Sequence, residues 1–126
     1  MTKISKKTRQ RKRQYAYFRG RFAETVATLF LRLKGYHIVA RGFRRPVGEI
    51  DIIARRGGVL IAIEVKQRQS LEKALQAIHA KQRRRVSRAM EAFIVSRPEF
   101  SHMDIRFDIL LITSFFSKPV HLENAW

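Results

Sequence analysis

The first periodic apolar segment predicts an amphipathic helix over residues 15–34. Apolar residues recur there at steps of three and four, the period of one helix face: Phe18, Phe22, Val26, Leu29, Phe30 and Leu33. Three further apolar residues widen this surface on a neighbouring side: Ala23, Ala27 and Leu31. Gly35 is a plausible end of the helix. Glu24 is the only acid in the segment and lies off the main stripe, so on its own it is interpreted as an exposed helix residue.

Three strand-like segments follow the helix. Residues 36–43 predict a first strand, and Arg44-Arg45-Pro46 predicts a corner. Apolar, mostly β-branched residues then stand on both sides of a glycine pair, Gly57-Gly58: Ile50, Ile52 and Ile53 before it, and Val59, Leu60, Ile61, Ile63 and Val65 after it. A two-residue glycine loop between such runs indicates a β-hairpin, because glycine takes a positive φ at low cost.

The loop length fixes which residues face each other across this hairpin. If Gly57-Gly58 is the loop, Asp51 lies opposite Glu64 and Glu49 lies opposite Lys66. A four-residue loop keeps both acids on one face, whereas a three-residue loop sends Glu64 to the other.

Two facing acids point to a cation. Facing residues have Cβ atoms about 4.5–5.5 Å apart, and two carboxylates at that distance repel unless a cation or a proton lies between them. We therefore predict a divalent metal held by Asp51 and Glu64, with Lys66 beside it. The alternative is a solvated strand edge, although such an edge usually alternates charge signs across the pair.

The second half of the chain predicts one long helix and a further strand. Ser70 is a suitable N-cap, and Pro98 ends the apolar periodicity. The predicted buried face of this helix is Leu71, Ala74, Leu75, Ile78, Val86, Met90, Phe93 and Ile94. Residues 105–113 predict a strand in which Arg106 and Asp108 form a structural ion pair, and residues 120–126 could add an edge strand.

Composition places the chain among basic proteins of one domain. It has 126 residues, 45% of them hydrophobic, and no cysteine, which excludes disulfides and thiolate zinc sites. Residues 1–14 form a basic arm, interpreted either as a phosphate contact or as a solubilising tail, and residues 15–126 form the domain. No segment is apolar enough for a membrane span or a secretory signal, so a cytoplasmic location without membrane contact is expected.

Charge favours a nucleic-acid partner. Twenty-seven Lys and Arg against ten Asp and Glu give a net charge of +17 and a pI near 11.5, which favours a polyanion. An anionic membrane surface is the competing partner, but the basic residues are spread along the chain and not gathered beside one apolar helix face. A solvated helix face is the other interpretation of the basic run in the long helix. The predicted phosphate-facing residues are Arg44, Arg45, Arg68, Lys81, Arg83, Arg84, Arg85 and Arg88.

A set of short motifs resembles the YraN-like family of bacteria. The motifs are Arg21-Phe-Ala-Glu24, Gly35-Tyr36, Ala40-Arg41, Gly48-Glu-Ile-Asp51, Ile63-Glu-Val-Lys66, Lys81-Gln-Arg, Arg106-Phe-Asp108, His121 and Asn124-Ala125. That family is similar to the PD-(D/E)xK, or restriction-endonuclease-like, nucleases, and in layout to archaeal Holliday-junction resolvases. The resemblance covers residues 16–126, although Ile50 stands before Asp51 where the superfamily name has proline. It implies an α/β fold with a restriction-endonuclease-like core: a mixed central sheet flanked by helices, in the order α-β-β-β-α-β with an optional last strand.

The resemblance also implies site residues and an activity. Asp51 and Glu64 would hold Mg²⁺ or Mn²⁺, with the Val65 carbonyl and Glu24 as further ligands. Lys66 would orient or deprotonate the attacking water, and Glu49 would orient Lys66.

The expected function is a metal-dependent endonuclease on DNA, with branched DNA as one candidate substrate and a homodimer expected if junctions are cut. The alternative is a non-catalytic basic module for DNA or structured RNA, such as ribosomal RNA. The four histidines have no metal spacing and are interpreted as ordinary surface or packing residues: His37, His79, His102 and His121.

Overall fold

The computed structural model describes residues 21–113 and 117–126. Its elements are helix α1 over residues 21–33, strands β1 (His37–Arg45), β2 (Gly48–Arg56) and β3 (Val59–Gln67), helices α2 (Leu71–Ala77) and α3 (Ala80–Ser96), a 3₁₀ turn (Pro98–Phe100), and strands β4 (Asp104–Ile112) and β5 (Val120–Leu122). The predicted basic arm and the first six residues of the predicted first helix lie outside the described residues.

The five strands form one mixed sheet in the spatial order β1-β2-β3-β4-β5. The first three strands pair antiparallel as a meander, β4 pairs parallel with β3, and β5 closes antiparallel on β4. Two parallel neighbours need a crossover connection, and α2 with α3 supplies it. The predicted α/β class and the order α-β-β-β-α-β-β are therefore confirmed.

Helices cover both faces of the sheet. On one face α1 packs on residues that include Ile52, Ile63 and Leu110. On the other face α3 packs on residues that include Ile53 and Ala62. Because consecutive residues of a strand point to opposite faces, the near-continuous apolar runs of β2 and β3 fill both cores at once.

The buried face of α1 differs from the prediction. Ala23, Ala27 and Leu31 are its buried apolar side chains, whereas Phe22 is 45%, Leu29 54% and Leu33 88% exposed. Alanine side chains allow a helix to approach a sheet closely, so here the small residues face inward and several of the larger ones remain outside. The stripe that we predicted as buried was therefore wrong in part. Its residue Phe18 lies outside the described residues.

The predicted long helix is also broken. Ser70 caps α2, because its hydroxyl accepts a hydrogen bond from the Lys73 N–H at 3.2 Å. However, α2 stops at Ala77, because Ile78 and His79 have extended backbone angles before α3 begins at Ala80. The connection is therefore two helices with a bend, and α3 alone carries the basic run.

Gly48, the first residue of β2, lies directly under α3. A Cβ atom at this position would lie 1.9 Å from the carbonyl oxygen of Arg85 and 2.6 Å from its carbonyl carbon. Both are backbone atoms, so only glycine permits this approach of the strand to the helix.

Strand β1 stands at one end of the sheet and is irregular. Its register against β2 shifts between Ile38 and Ala40, and Gly42 has a φ of 61°. Three exposed arginines follow in this strand: Arg41, Arg44 and Arg45.

The buried carboxylate of Asp108 on β4 holds β5 and the residues after it in place through hydrogen bonds. Asp108 is fully buried and accepts hydrogen bonds from Arg106, from Nε2 of His121 at 2.7 Å and from the N–H of Asn124 at 2.9 Å. Burial alone would raise the pKa of Asp108, but these donors outweigh burial and lower it. The predicted ion pair of Arg106 and Asp108 is confirmed, and His121 belongs to the same network.

Candidate metal centre and basic surface

The hairpin has the predicted register. Its ladder runs from Arg56 opposite Val59 to Ile52 opposite Ile63. The next facing position is that of Asp51 and Glu64. There the hydrogen bond between the strands comes from a side chain and not from the backbone. Asp51 Oδ2 accepts a hydrogen bond from the backbone N–H of Val65 at 2.9 Å. The two predicted acids therefore stand together at the end of the paired hairpin.

Glu64 is the more enclosed of the two acids. It is 4% exposed, and its Oε2 accepts a hydrogen bond from Nε2 of Gln82 on α3 at 3.1 Å. Its other oxygen, Oε1, is buried without a hydrogen-bond partner among the described residues. Buried polar atoms are nearly always paired, so an unpartnered carboxylate oxygen beside a second acid indicates a place for a cation or a proton.

The electrostatics of the pair lead to the same conclusion. Burial raises the pKa of Asp51, although the Val65 N–H and the charge of Lys66 act against it. Burial and the nearby charge of Asp51 raise the pKa of Glu64 to about 8. The site therefore disfavours two ionised carboxylates at neutral pH unless a positive ion joins them.

Lys66 and Glu49 have different partners from those predicted. Nζ of Lys66 donates to Oε1 of Gln82 at 3.4 Å. Glu49 accepts from the Arg85 guanidinium at 2.8 Å, which lowers the pKa of Glu49. The ladder of the hairpin ends before the position where Glu49 would face Lys66. In place of the predicted contact between Glu49 and Lys66, Glu49 forms an ion pair with Arg85 of α3.

Glu24 lies on the inward side of α1 and is not an exposed helix residue. It lies one helical turn before the buried Ala27 and Thr28, and its side chain is 23% exposed. Its carboxylate accepts from Nε of Arg41 at 3.2 Å, while its charge contributes to the raised pKa of Asp51.

The acids do not form a larger cluster. Among the described residues, no group of three or more His, Cys, Asp or Glu is placed to hold one ion. The structure brings Asp51 and Glu64 together, holds Glu24 on Arg41, and presents the N–H of Val65 to Asp51. The roles of Glu24 and of the Val65 carbonyl as ligands stay predictions.

Gln82, part of the motif Lys81-Gln-Arg, is a residue of this site that was assigned no role from the sequence. It stands inside the basic run of α3, where charge draws attention to its neighbours. A signal was present, because Gln82 lies one helical turn before the buried Val86 and so falls on the inward stripe. An amide at such a position needs polar partners in the core.

The predicted phosphate-facing residues are largely exposed. The exposed members are Arg44, Arg45, Arg68, Lys81, Arg83, Arg84 and Arg88. Arg85 is instead partly covered and paired with Glu49. Lys81 and Arg83 flank Gln82 on α3. The charge of Arg44 adds to the lowering of the Glu49 pKa that Arg85 causes, and it opposes the rise that burial causes in the pKa of Asp51. The acidic pair therefore lies within reach of a positive surface.

The raised pKa of Glu64 predicts a pH-dependent stability. An unfolded glutamate ionises near pH 4.3, whereas folded Glu64 keeps its proton up to about 8. The folded state then binds more protons, so this group costs stability as pH rises through that window. In EDTA we expect Glu64→Gln to melt progressively higher than the wild type between about pH 5 and pH 9, by several degrees at the upper end. Circular dichroism melting curves measure this, and a constant difference across the range would contradict it.

No helix in the described ranges is both long enough and apolar enough to cross a membrane.

Comparisons with known proteins identify the family. The model of "Uncharacterised protein family UPF0102" matches residues 23–112. A UPF0102 protein of Paramagnetospirillum magneticum is 41% identical over 120 residues, which cover 92% of each chain. A UPF0102 protein of Parvibaculum lavamentivorans is 45% identical over 111 residues, covering 88% of this chain and 83% of the relative. One of Mesorhizobium japonicum is 41% identical over 114 residues, covering 90% of each. The YraN-like resemblance is confirmed at this level: the chain belongs to the uncharacterised protein family UPF0102.

Proposed function

We propose that the protein is a metal-dependent endonuclease that hydrolyses phosphodiester bonds of DNA. The observation that carries the proposal is the buried Oε1 of Glu64, which has no hydrogen-bond partner among the described residues and lies next to Asp51, itself within reach of the charge of the exposed Arg44. A site that only binds phosphate gains nothing from two acids, because they repel the ligand. A site that hydrolyses phosphate needs them to hold a cation.

The donor set fits a hard divalent cation. Mg²⁺ is commonly held by one or two carboxylates together with waters and substrate phosphates, so Asp51 and Glu64 suffice as the protein's carboxylates. The Val65 carbonyl and Glu24 are the further ligands that the resemblance to PD-(D/E)xK nucleases implies. A bound Mg²⁺ or Mn²⁺ would supply a Lewis acid for the phosphoryl oxygens and a nucleophile at neutral pH.

The protein's own groups orient the reaction. Asp51 is held in place by the Val65 N–H, and Glu64 by Gln82. Lys66 donates a hydrogen bond to the same glutamine, and its ammonium would orient an attacking water and offset charge on the phosphoryl group. In this arrangement Lys66 affects the rate more than the affinity.

The basic surface supplies affinity that does not depend on base sequence. Contacts to phosphates position a duplex without reading its bases. The restriction-endonuclease-like layout of the superfamily, a mixed sheet between helices with its acids on the central hairpin, supports a nuclease as well. A compact domain of this kind reads the shape of DNA, which favours branched or otherwise structured substrates.

Two observations favour the alternative, a non-catalytic basic module for DNA or structured RNA. Glu24 is paired with Arg41, and the described acids form no group of three. A protein that retained the fold and lost the reaction would tolerate such an arrangement.

Incubation with defined DNA distinguishes these functions. Purified protein is incubated with single-stranded, duplex, flap and four-way-junction DNA in Mg²⁺, Mn²⁺ or EDTA. We expect cleavage of at least one DNA in Mg²⁺ or Mn²⁺ and none in EDTA. Binding of these DNAs without cleavage in any metal would decide for the binding module.

The basic face of α3 makes a separate prediction about affinity. Replacing Arg83 and Arg84 by alanine should weaken binding to every DNA and reduce the slope of log affinity against log salt by about two, since each phosphate contact contributes about one. The matched control is Arg32→Ala with Arg55→Ala, which removes two exposed arginines from α1 and β2. Equal slopes for the two double variants would show that α3 does not meet phosphate in particular.

A further inference from the structure

Gln82 joins the two functional side chains of β3. Its Nε2 donates to Oε2 of Glu64 at 3.1 Å, and its Oε1 accepts from Nζ of Lys66 at 3.4 Å. Once a cation binds and Glu64 is ionised, the reversed amide would face a carboxylate with its oxygen and an ammonium with its NH₂ group. Both neighbours therefore select the same orientation of the amide.

The backbone of α3 is held in place one turn further along. Arg85 is three residues from Gln82, so the two side chains leave the same side of the helix. The Arg85 guanidinium is paired with Glu49 on β2, and its backbone rests on Gly48, where no Cβ atom fits. These contacts fix the height and rotation of the first two turns of α3 over the hairpin.

We propose that Gln82 is a positioning residue of the acidic pair, which makes α3 part of the metal site. By holding Oε2 of Glu64, it leaves the buried Oε1 as the oxygen available to a divalent cation. By holding Lys66, it keeps the ammonium beside the pair without a direct ion pair that would neutralise Glu64. The inference rests on the proposed function, and it deepens that function by coupling the arginine-bearing helix to metal affinity.

The arrangement has a regulatory consequence. Lys81 and Arg83 stand on either side of Gln82 on the same helical turn. When these two side chains contact phosphate, the substrate itself helps to hold α3, the helix that orients Glu64, in place. DNA binding and metal binding should then strengthen each other, because each favours the same placement of α3.

The test is divalent-ion binding by the metal-free protein. Gln82→Met keeps the length of the side chain and removes both hydrogen bonds, and Gln82→Ala is the second variant should methionine disturb packing. Gln76→Met is the matched control, because Gln76 is exposed on α2. Each protein is melted in a Mn²⁺ series without DNA, and the concentration that gives half of the full rise in melting temperature is recorded.

We expect the Mn²⁺ concentration at half of the full rise in melting temperature to be at least about 10-fold higher for both Gln82 variants. This is the usual cost of losing a residue that orients a metal ligand. Gln76→Met should match the wild type. Single-turnover cleavage by the Gln82 variants should recover in part at saturating Mn²⁺. A lower metal-free melting temperature with an unchanged Mn²⁺ requirement would overturn the inference, because it shows a purely structural role.

The two proposals fail in different ways. If Asp51→Asn and Glu64→Gln lose the Mn²⁺ response while Gln82→Met keeps it unchanged, the metal site stands and the role of Gln82 falls. If the wild type shows no Mn²⁺ response at all, both are wrong.

Discussion

Replacing Asp51 by asparagine or Glu64 by glutamine is expected to abolish metal-dependent DNA cleavage and to leave DNA binding in EDTA intact. Each change keeps the size of the side chain and removes one of the two carboxylates. The loss should be at least on the order of 100-fold in single-turnover rate, the scale of removing one preorganised electrostatic group from a transition state. Affinity should stay or even improve, because a negative charge disappears from a positive surface.

The exposed Glu72 of α2 provides the matched control. Glu72→Gln removes the same charge outside the site and should cleave like the wild type. Cleavage at the wild-type rate by both Asp51→Asn and Glu64→Gln would show that the acidic pair is not the catalytic centre. A parallel loss of binding and cleavage would show instead that these variants disturb the fold.

Gly48→Ala is expected to destabilise the protein more than a Gly→Ala substitution at any other glycine that the structure describes. The added Cβ atom would overlap the backbone carbonyl of Arg85 at 1.9 Å, and a backbone group cannot rotate aside. Forcing extra atoms into a packed contact costs about 1–3 kcal/mol and more when backbone must move. We expect a fall in melting temperature of about 10 °C or more, together with a weaker Mn²⁺ response because α3 shifts.

Gly58→Ala is the control for that substitution. Gly58 has no positive φ, and a Cβ atom there would meet nothing within 4 Å. Its melting temperature should change little. Similar small shifts for both variants would mean that α3 can move away from β2 at low cost.

The hairpin could be predicted because its signals are local. The Gly57-Gly58 loop sets the register, and Gly57 takes the positive φ that the turn requires. Loop length and strand alternation then place Asp51 opposite Glu64 with no knowledge of the rest of the molecule. The candidate acidic pair can therefore be predicted from the sequence alone.

The orientation of α1 could not be predicted in the same way. A helix with apolar residues on several sides offers more than one face for packing, and the larger side chains suggested the wrong one. Ala23 and Ala27 face inward because small side chains allow close approach. That preference depends on the shape of the sheet, which the helical period does not encode.

Two further features depend on tertiary contacts. The bend at Ile78 and His79 contains neither glycine nor proline, so no local signal marks it. Gln82 carries no charge, and its two partners are 16 and 18 residues away in the chain. Its helical position marks it as inward-facing, but the two groups that it meets become visible only when α3 is placed over β3.

Strand β1 also bears on how the protein behaves at high concentration. A flat, open strand at the margin of a sheet is a template on which strands of other molecules can assemble into aggregates. In β1, the register shift and the positive φ of Gly42 break the regular spacing of backbone donors and acceptors. Its arginines repel an identical strand. We therefore expect Arg44 and Arg45, the arginines proposed to meet DNA, also to oppose the addition of one molecule's β1 to that of the next.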